Sequence, residues 1–85
     1  MATIEKVINS IMSGTKDKNI KFIELQSVLR FLGFQCRIKG DHFIYYRNDI
    51  DEIINIQPTG NMAKPYQVKQ VRGLIQKYFR RSENV

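Results

Sequence analysis

Arg37-Ile38-Lys39-Gly40-Asp41-His42-Phe43-Ile44-Tyr45-Tyr46-Arg47 reads as two short strands joined by a two-residue turn. The first strand extends back from Lys39 to Phe34, the second runs from His42 to Arg47, and Gly40-Asp41 is the turn. Glycine at the first central position accepts a positive φ without steric cost, which suits the mirror-image turns that close tight hairpins. With Lys39 facing His42, Ile38 faces Phe43, Cys36 faces Tyr45 and Phe34 faces Arg47. Side chains alternate across a strand, so Phe34, Cys36, Ile38, Phe43 and Tyr45 share a core face. Gln35, Arg37, Lys39, His42, Ile44 and Tyr46 share the open one. The only histidine of the chain thus stands beside Lys39 and Arg37, with Tyr46 further along. A cationic, aromatic sheet face carrying an imidazole suits an RNA phosphate backbone. The same residue types also occur on solvated strands that bind nothing.

The segments on either side fill in the layers. Phe22, Leu25, Val28, Leu29 and Leu32 recur at helical steps, and Gly33 closes that helix and turns the chain into Phe34. Ile4, Val7, Ile8, Ile11 and Met12 give an earlier amphipathic helix, from a capping Thr3 to Gly14, expected to pack on this core or on a second copy. Residues 15–19 are a polar connection. Beyond the hairpin, Asn48-Asp49 begins a turn, and Ile50-Asp51-Glu52 leads into a strand over residues 53–57. Its Ile54 and Ile56 face the core. Asn55 and Gln57 stand on the histidine's side, where amides can bond bases or ribose hydroxyls.

Pro58 ends that strand, and Pro65 suits the first turn of a last helix. Val68, Val71, Leu74, Ile75, Tyr78 and Phe79 form its apolar stripe and carry it to about Arg80. Lys69, Gln76 and Arg80 share one flank, and Arg72 borders the stripe. Lys64 stands at the N-terminal end, where a cation and free backbone N–H groups together make a candidate phosphate site. A solvated helix face is the alternative for these cations. Residues 82–85 read as a frayed tail. The expected fold is therefore α+β, one domain with a three-stranded antiparallel sheet and helices packed on one face. Its order is helix, helix, strand, strand, strand, helix.

Composition bounds the function. No apolar run approaches the roughly 18 residues of a membrane span, and the N-terminus has no basic and apolar leader pattern, so a cytoplasmic place is expected. Cys36 is the single cysteine, which leaves no internal disulfide and no cysteine-based metal cluster; it is expected as a small buried hydrophobe. Asp49, Asp51 and Glu52 fit no calcium-loop spacing. The net charge of +6 is concentrated late: residues 61–85 hold six basic residues and one acidic residue. That distribution points to a polyanion or an acidic protein surface as partner.

The runs Lys39-Gly40-Asp41-His42-Phe43-Ile44-Tyr45, Ile53-Ile54-Asn55-Ile56-Gln57-Pro58 and Ala63-Lys64-Pro65-Tyr66-Gln67-Val68-Lys69-Gln70-Val71-Arg72 resemble the HicA family of toxins from bacterial and archaeal toxin–antitoxin pairs. The resemblance covers residues 22–79, and residues 1–14 would be the additional N-terminal helix of one subgroup. It implies a fold similar to a double-stranded RNA-binding domain and cleavage of messenger RNA without a metal or other cofactor. It also implies neutralisation by a HicB-like antitoxin. The family motif is most often Gly-Ser-His, frequently with a second histidine. Gly40 and His42 match it, whereas Asp41 replaces the serine and Phe43 takes the following place.

Metal-free RNA cleavage requires a base for the attacking 2′-hydroxyl and a proton for the leaving 5′-oxygen. An imidazole exchanges its proton near neutral pH, so His42 is the candidate base. Arg37 and Lys39 can hold the phosphate, with Gly40, Tyr46, Lys64, Lys69 and Arg72 completing the expected RNA surface. Asp41 can orient His42 or repel the phosphate. With one histidine, the acid would be a lysine or water. The alternative is an RNA- or protein-binding module that keeps the fold without the chemistry.

Overall fold

Thr3 accepts a hydrogen bond from the Lys6 N–H and opens helix α1, Ile4–Ser13, which Gly14 closes. The computed structural model describes residues 3–79. Helix α2 is Phe22–Phe31, and the Glu24 carboxylate satisfies the Lys21 N–H at its start. Strands β1 (Gln35–Lys39), β2 (His42–Arg47) and β3 (Ile50–Ile56) follow, then helix α3 (Pro65–Leu74). A 3-10 turn, Asp17–Asn19, links α1 to α2, and a π-helical turn, Ile75–Phe79, prolongs α3. The sheet is an antiparallel meander in the order β1-β2-β3.

The three helical stripes and one sheet face meet in one core. Val7 and Ile11 of α1 are buried together with Leu25, Val28 and Leu29 of α2, Val68 and Val71 of α3, and Tyr45, Ile54 and Ile56 of the sheet. Each fully buried aliphatic side chain adds about 1.5–3 kcal/mol. Helix α1 therefore packs on the core of its own chain. Among the described residues no helix is long and apolar enough to cross a membrane.

The structure departs from the sequence expectations at four places. Ile38 lies on the core face yet is 62% exposed, on edge strand β1, which has a neighbouring strand on one side alone. Phe22 of α2 packs edge-on against Phe43 at 5.2 Å instead. Cys36 is half-buried rather than enclosed. The third strand begins at Ile50, three residues earlier than expected, after a β-bulge between Tyr45 and Arg47. Regular α-helix stops at Leu74, and the wider π turn rotates Tyr78 outward to 37% exposure. There its hydroxyl donates to Glu52, which also pairs with Lys77 at 2.7 Å. The same turn sets Phe79 beside Phe34, under the Arg47 guanidinium 5.2 Å away. Arg80 and the tail at residues 82–85 lie outside the described residues.

Two arginines tie the layers together. Arg47 of β2 donates to the Leu32 carbonyl at 2.6 Å and pairs with Asp49 at 2.8 Å. Its guanidinium packs against Gly33, whose φ of +88° only glycine adopts cheaply. Arg72 of α3 makes two bonds to the Asp17 carboxylate, at 2.8 and 3.2 Å, and a third to the Ile11 carbonyl at 2.9 Å. Both side chains of this pair are largely enclosed. The bond from Arg72 holds the Asp17 carboxyl below the usual carboxylate range, with Lys69 adding a smaller attraction.

Asp17→Ala is expected to cost about 1–3 kcal/mol in urea unfolding, since it leaves a partly buried guanidinium without its carboxylate. Folding lowers the affinity of Asp17 for a proton, so the pair's contribution is complete above the ordinary carboxylate pKa. It is lost as pH falls through the depressed folded value. The parent's stability should therefore drop below about pH 4 more steeply than that of the Asp17→Ala protein.

Candidate functional site

The turn at the hairpin tip positions the site. Gly40 has a φ of +63° and Asp41 a negative φ, the pattern of a type II′ turn. Lys39 and His42 face each other directly across it, followed by Ile38 and Phe43, Arg37 and Ile44, Cys36 and Tyr45, and Gln35 and Tyr46. This is the register read from the sequence. Ile44 pairs in turn with Asn55 and Phe43 with Ile56, so two rows of side chains cross the open face. One is Arg37, Ile44, Asn55; the other is Lys39, His42 and Gln57, the residue just past β3.

The second and third strands hold the imidazole between two amides. His42 Nδ1 lies 3.1 Å from Asn55 Oδ1, and His42 Nε2 lies 3.3 Å from Gln57 Nε2. A carbonyl oxygen accepts and an amide nitrogen donates. One neutral tautomer satisfies both contacts, with the proton on Nδ1 and the lone pair on Nε2. Asp41 Oδ1 stands 3.8 Å from Nε2, too far for a hydrogen bond but within reach of an ion pair. His42 keeps 45% of its side chain exposed, so the ring edge is open to a ligand.

Around this ring the open face is cationic. Arg37 lies over the Tyr46 ring at 5.3 Å, and the Tyr46 hydroxyl donates to Gln35 Oε1 at 3.4 Å. Arg37 and Lys39 are exposed, and neither is ion-paired among the described residues. Their charge is available to a phosphate.

Arg37, Lys39, Gly40, His42 and Tyr46 thus come together on one sheet surface. Lys64, Lys69 and Arg72 do not join them; Lys64 precedes α3 and the other two lie on it, in the helical layer. Arg72 is engaged by Asp17 and Ile11. Lys69 is exposed and contributes to the field at Asp17. At the start of α3 the Gln67 and Val68 N–H groups both donate to the Lys64 carbonyl, and Pro65 has no N–H to offer. Few donors are left there for an anion. Among the described residues no three His, Cys, Asp or Glu side chains gather as metal ligands.

Sequence reasoning placed Asn55 and Gln57 on the histidine's side but did not find that they grip its ring. Their alternation with Ile54 and Ile56 was the available signal. It reports the face of a strand and says nothing of the distance to a neighbouring strand.

A β-carbon on Gly40 would meet no atom within 4 Å, so the cost of Gly40→Ala is conformational alone, about 1–2 kcal/mol. Thermal unfolding should show that loss while the sheet signal in circular dichroism stays native-like. Comparison with family models, with curated proteins and with solved structures returns no match, so the site is read from its own geometry.

Proposed function

We propose that this chain is a ribonuclease toxin of the HicA type, with a double-stranded-RNA-binding-like fold, that cleaves messenger RNA at the open sheet face. The observation that carries the reading is the half-exposed His42 ring, held between Asn55 Oδ1 and Gln57 Nε2 on the face of Arg37 and Lys39, two cations without an ion pair among the described residues. His42 Nε2 takes the proton of a ribose 2′-hydroxyl. The 2′-oxygen then bonds to the adjacent phosphorus, and the P–O5′ bond breaks. The leaving oxygen receives a proton from Lys39 or water, giving a 2′,3′-cyclic phosphate and a free 5′-hydroxyl. Asp41, 3.8 Å from Nε2, attracts the imidazolium as it forms, while Arg37 and Lys39 offset the charge on the phosphoryl oxygens. Tyr46, braced by Arg37, offers a ring on which an unpaired base can stack. The cationic surface also suits an acidic HicB-like antitoxin as its inhibitor in the cytoplasm.

A second reading, a binding module without chemistry, draws on one observation. The Gln57 amide already sits on the Nε2 lone pair, as in a histidine that is merely satisfied.

Induced expression of the parent and of His42→Ala, with growth and transcript integrity followed together, separates the two. The toxin reading expects arrest and fragmented messages from the parent alone. In purified form, with a chelator present, His42→Ala should cut RNA at least about 100-fold more slowly. An intact transcript pool with the parent would leave the binding module. Under the toxin reading Arg37→Gln and Lys39→Gln should each lower the salt dependence of RNA affinity by about one unit of slope. Arg72→Gln should not, since its charge is spent inside the fold.

A further inference from the structure

We propose that Asn55 and Gln57 are positioning residues for His42. Asn55 fixes the ring tautomer, and Gln57 caps the Nε2 lone pair until a ribose 2′-hydroxyl displaces it. The inference rests on the reading of His42 as the base and adds how that base is set and guarded.

Strand parity places both amides. Ile54 and Ile56 are buried, which fixes the intervening Asn55 and the following Gln57 on the open face. The pairing of Ile44 with Asn55 then puts the carboxamide beside the row of His42. Free histidine favours the tautomer with its proton on Nε2, which has no lone pair there to accept from a sugar. An acceptor at Nδ1 reverses that preference. Asn55 Oδ1 at 3.1 Å is such an acceptor, and it acts through the ring rather than on RNA.

Gln57 is placed for the complementary task. Its Nε2–H donates to the same lone pair that a 2′-hydroxyl must reach. The two donors compete for one acceptor, so the hydroxyl of an incoming RNA replaces the amide bond for bond. The contact is long for a hydrogen bond, 3.3 Å, and Gln57 follows the last residue of β3, where its backbone is outside the ladder. Displacement is therefore cheap. The exchange also names the substrate class. A DNA strand, lacking the 2′-hydroxyl, has no donor with which to lift the cap.

The test is nitrogen NMR on the untagged, 15N-labelled chain. His42 is the single histidine, so both ring-nitrogen signals belong to it. In the neutral ring, the expected pattern is a protonated Nδ1 and a bare Nε2. Asn55→Ala, at an exposed position, should move the ring toward the Nε2–H form and slow cleavage about tenfold or more, since the base is then in the wrong tautomer. Asn55→Asp, which keeps an acceptor, should restore the Nδ1–H form. Gln57→Ala should keep that form and raise the single-turnover rate, since no cap must be lifted.

A parent ring protonated on Nε2, or ring signals unmoved by Asn55→Ala, would overturn the Asn55 assignment. A Gln57→Ala protein that cuts no faster than the parent would overturn the cap. The NMR readout uses the free protein and stands apart from cleavage. An Nδ1–H ring in a chain that cuts no RNA supports the tautomer assignment and removes the catalytic reading. An Nε2–H ring in a chain that does cut removes the assignment alone.

Discussion

The register of the β1–β2 hairpin is the constraint from which the rest follows. Side chains alternate along a strand, so a slip of one residue would turn the whole set over. Tyr45, fully buried on the central strand, would enter solvent, and His42 and Arg37 would face the helices. Two things hold the parity. The type II′ turn at Gly40-Asp41 brings Lys39 and His42 directly opposite each other. Deeper in, the Tyr45 hydroxyl accepts a bond from Gln26 of α2 at 3.1 Å, so that the ring is buried with its polar end satisfied. Burial pushes the Tyr45 phenol up, with the Cys36 thiol adding to the shift. The residue stays neutral, as its place in the core requires.

Charge serves two ends in this small fold. Behind the sheet, cations join the layers: Arg72 ties α3 to the 3-10 turn and to the end of α1, and Arg47 ties β2 to the end of α2 and to the π turn. A guanidinium suits both places because its planar fork makes several bonds at once and its flat face stacks on a ring. On the open side, Arg37 and Lys39 find no carboxylate among the described residues. Arg72 and Arg47 thus serve the fold, while Arg37 and Lys39 leave free charge on the sheet face.

The imidazole lies where these arrangements meet. Its Nδ1 and Nε2 contacts both come from the β3 side, so the orientation of the ring depends on how β2 and β3 pair. Strands hold such a group more firmly than a loop would. Asp41, from the turn, adds a carboxylate near Nε2 without taking that nitrogen's hydrogen bond. The sheet thus presents a base with one edge braced and the other edge exchangeable.

The local patterns of the sequence determined the helices, the meander of three strands, the hairpin register and the sorting of His42, Arg37 and Lys39 onto one face. Capping residues, a turn glycine and repeats of 2 and 3.6 residues act between near neighbours, so they can be read without coordinates. The tertiary structure alone decided that Ile38 stays exposed on its edge strand, that the end of α3 widens into a π turn, and that Arg72 is engaged by Asp17. It also decided that Asn55 and Gln57 grip the ring of His42. Those outcomes join residues 13 to 61 positions apart, and no periodicity reports a distance between side chains that only folding brings together.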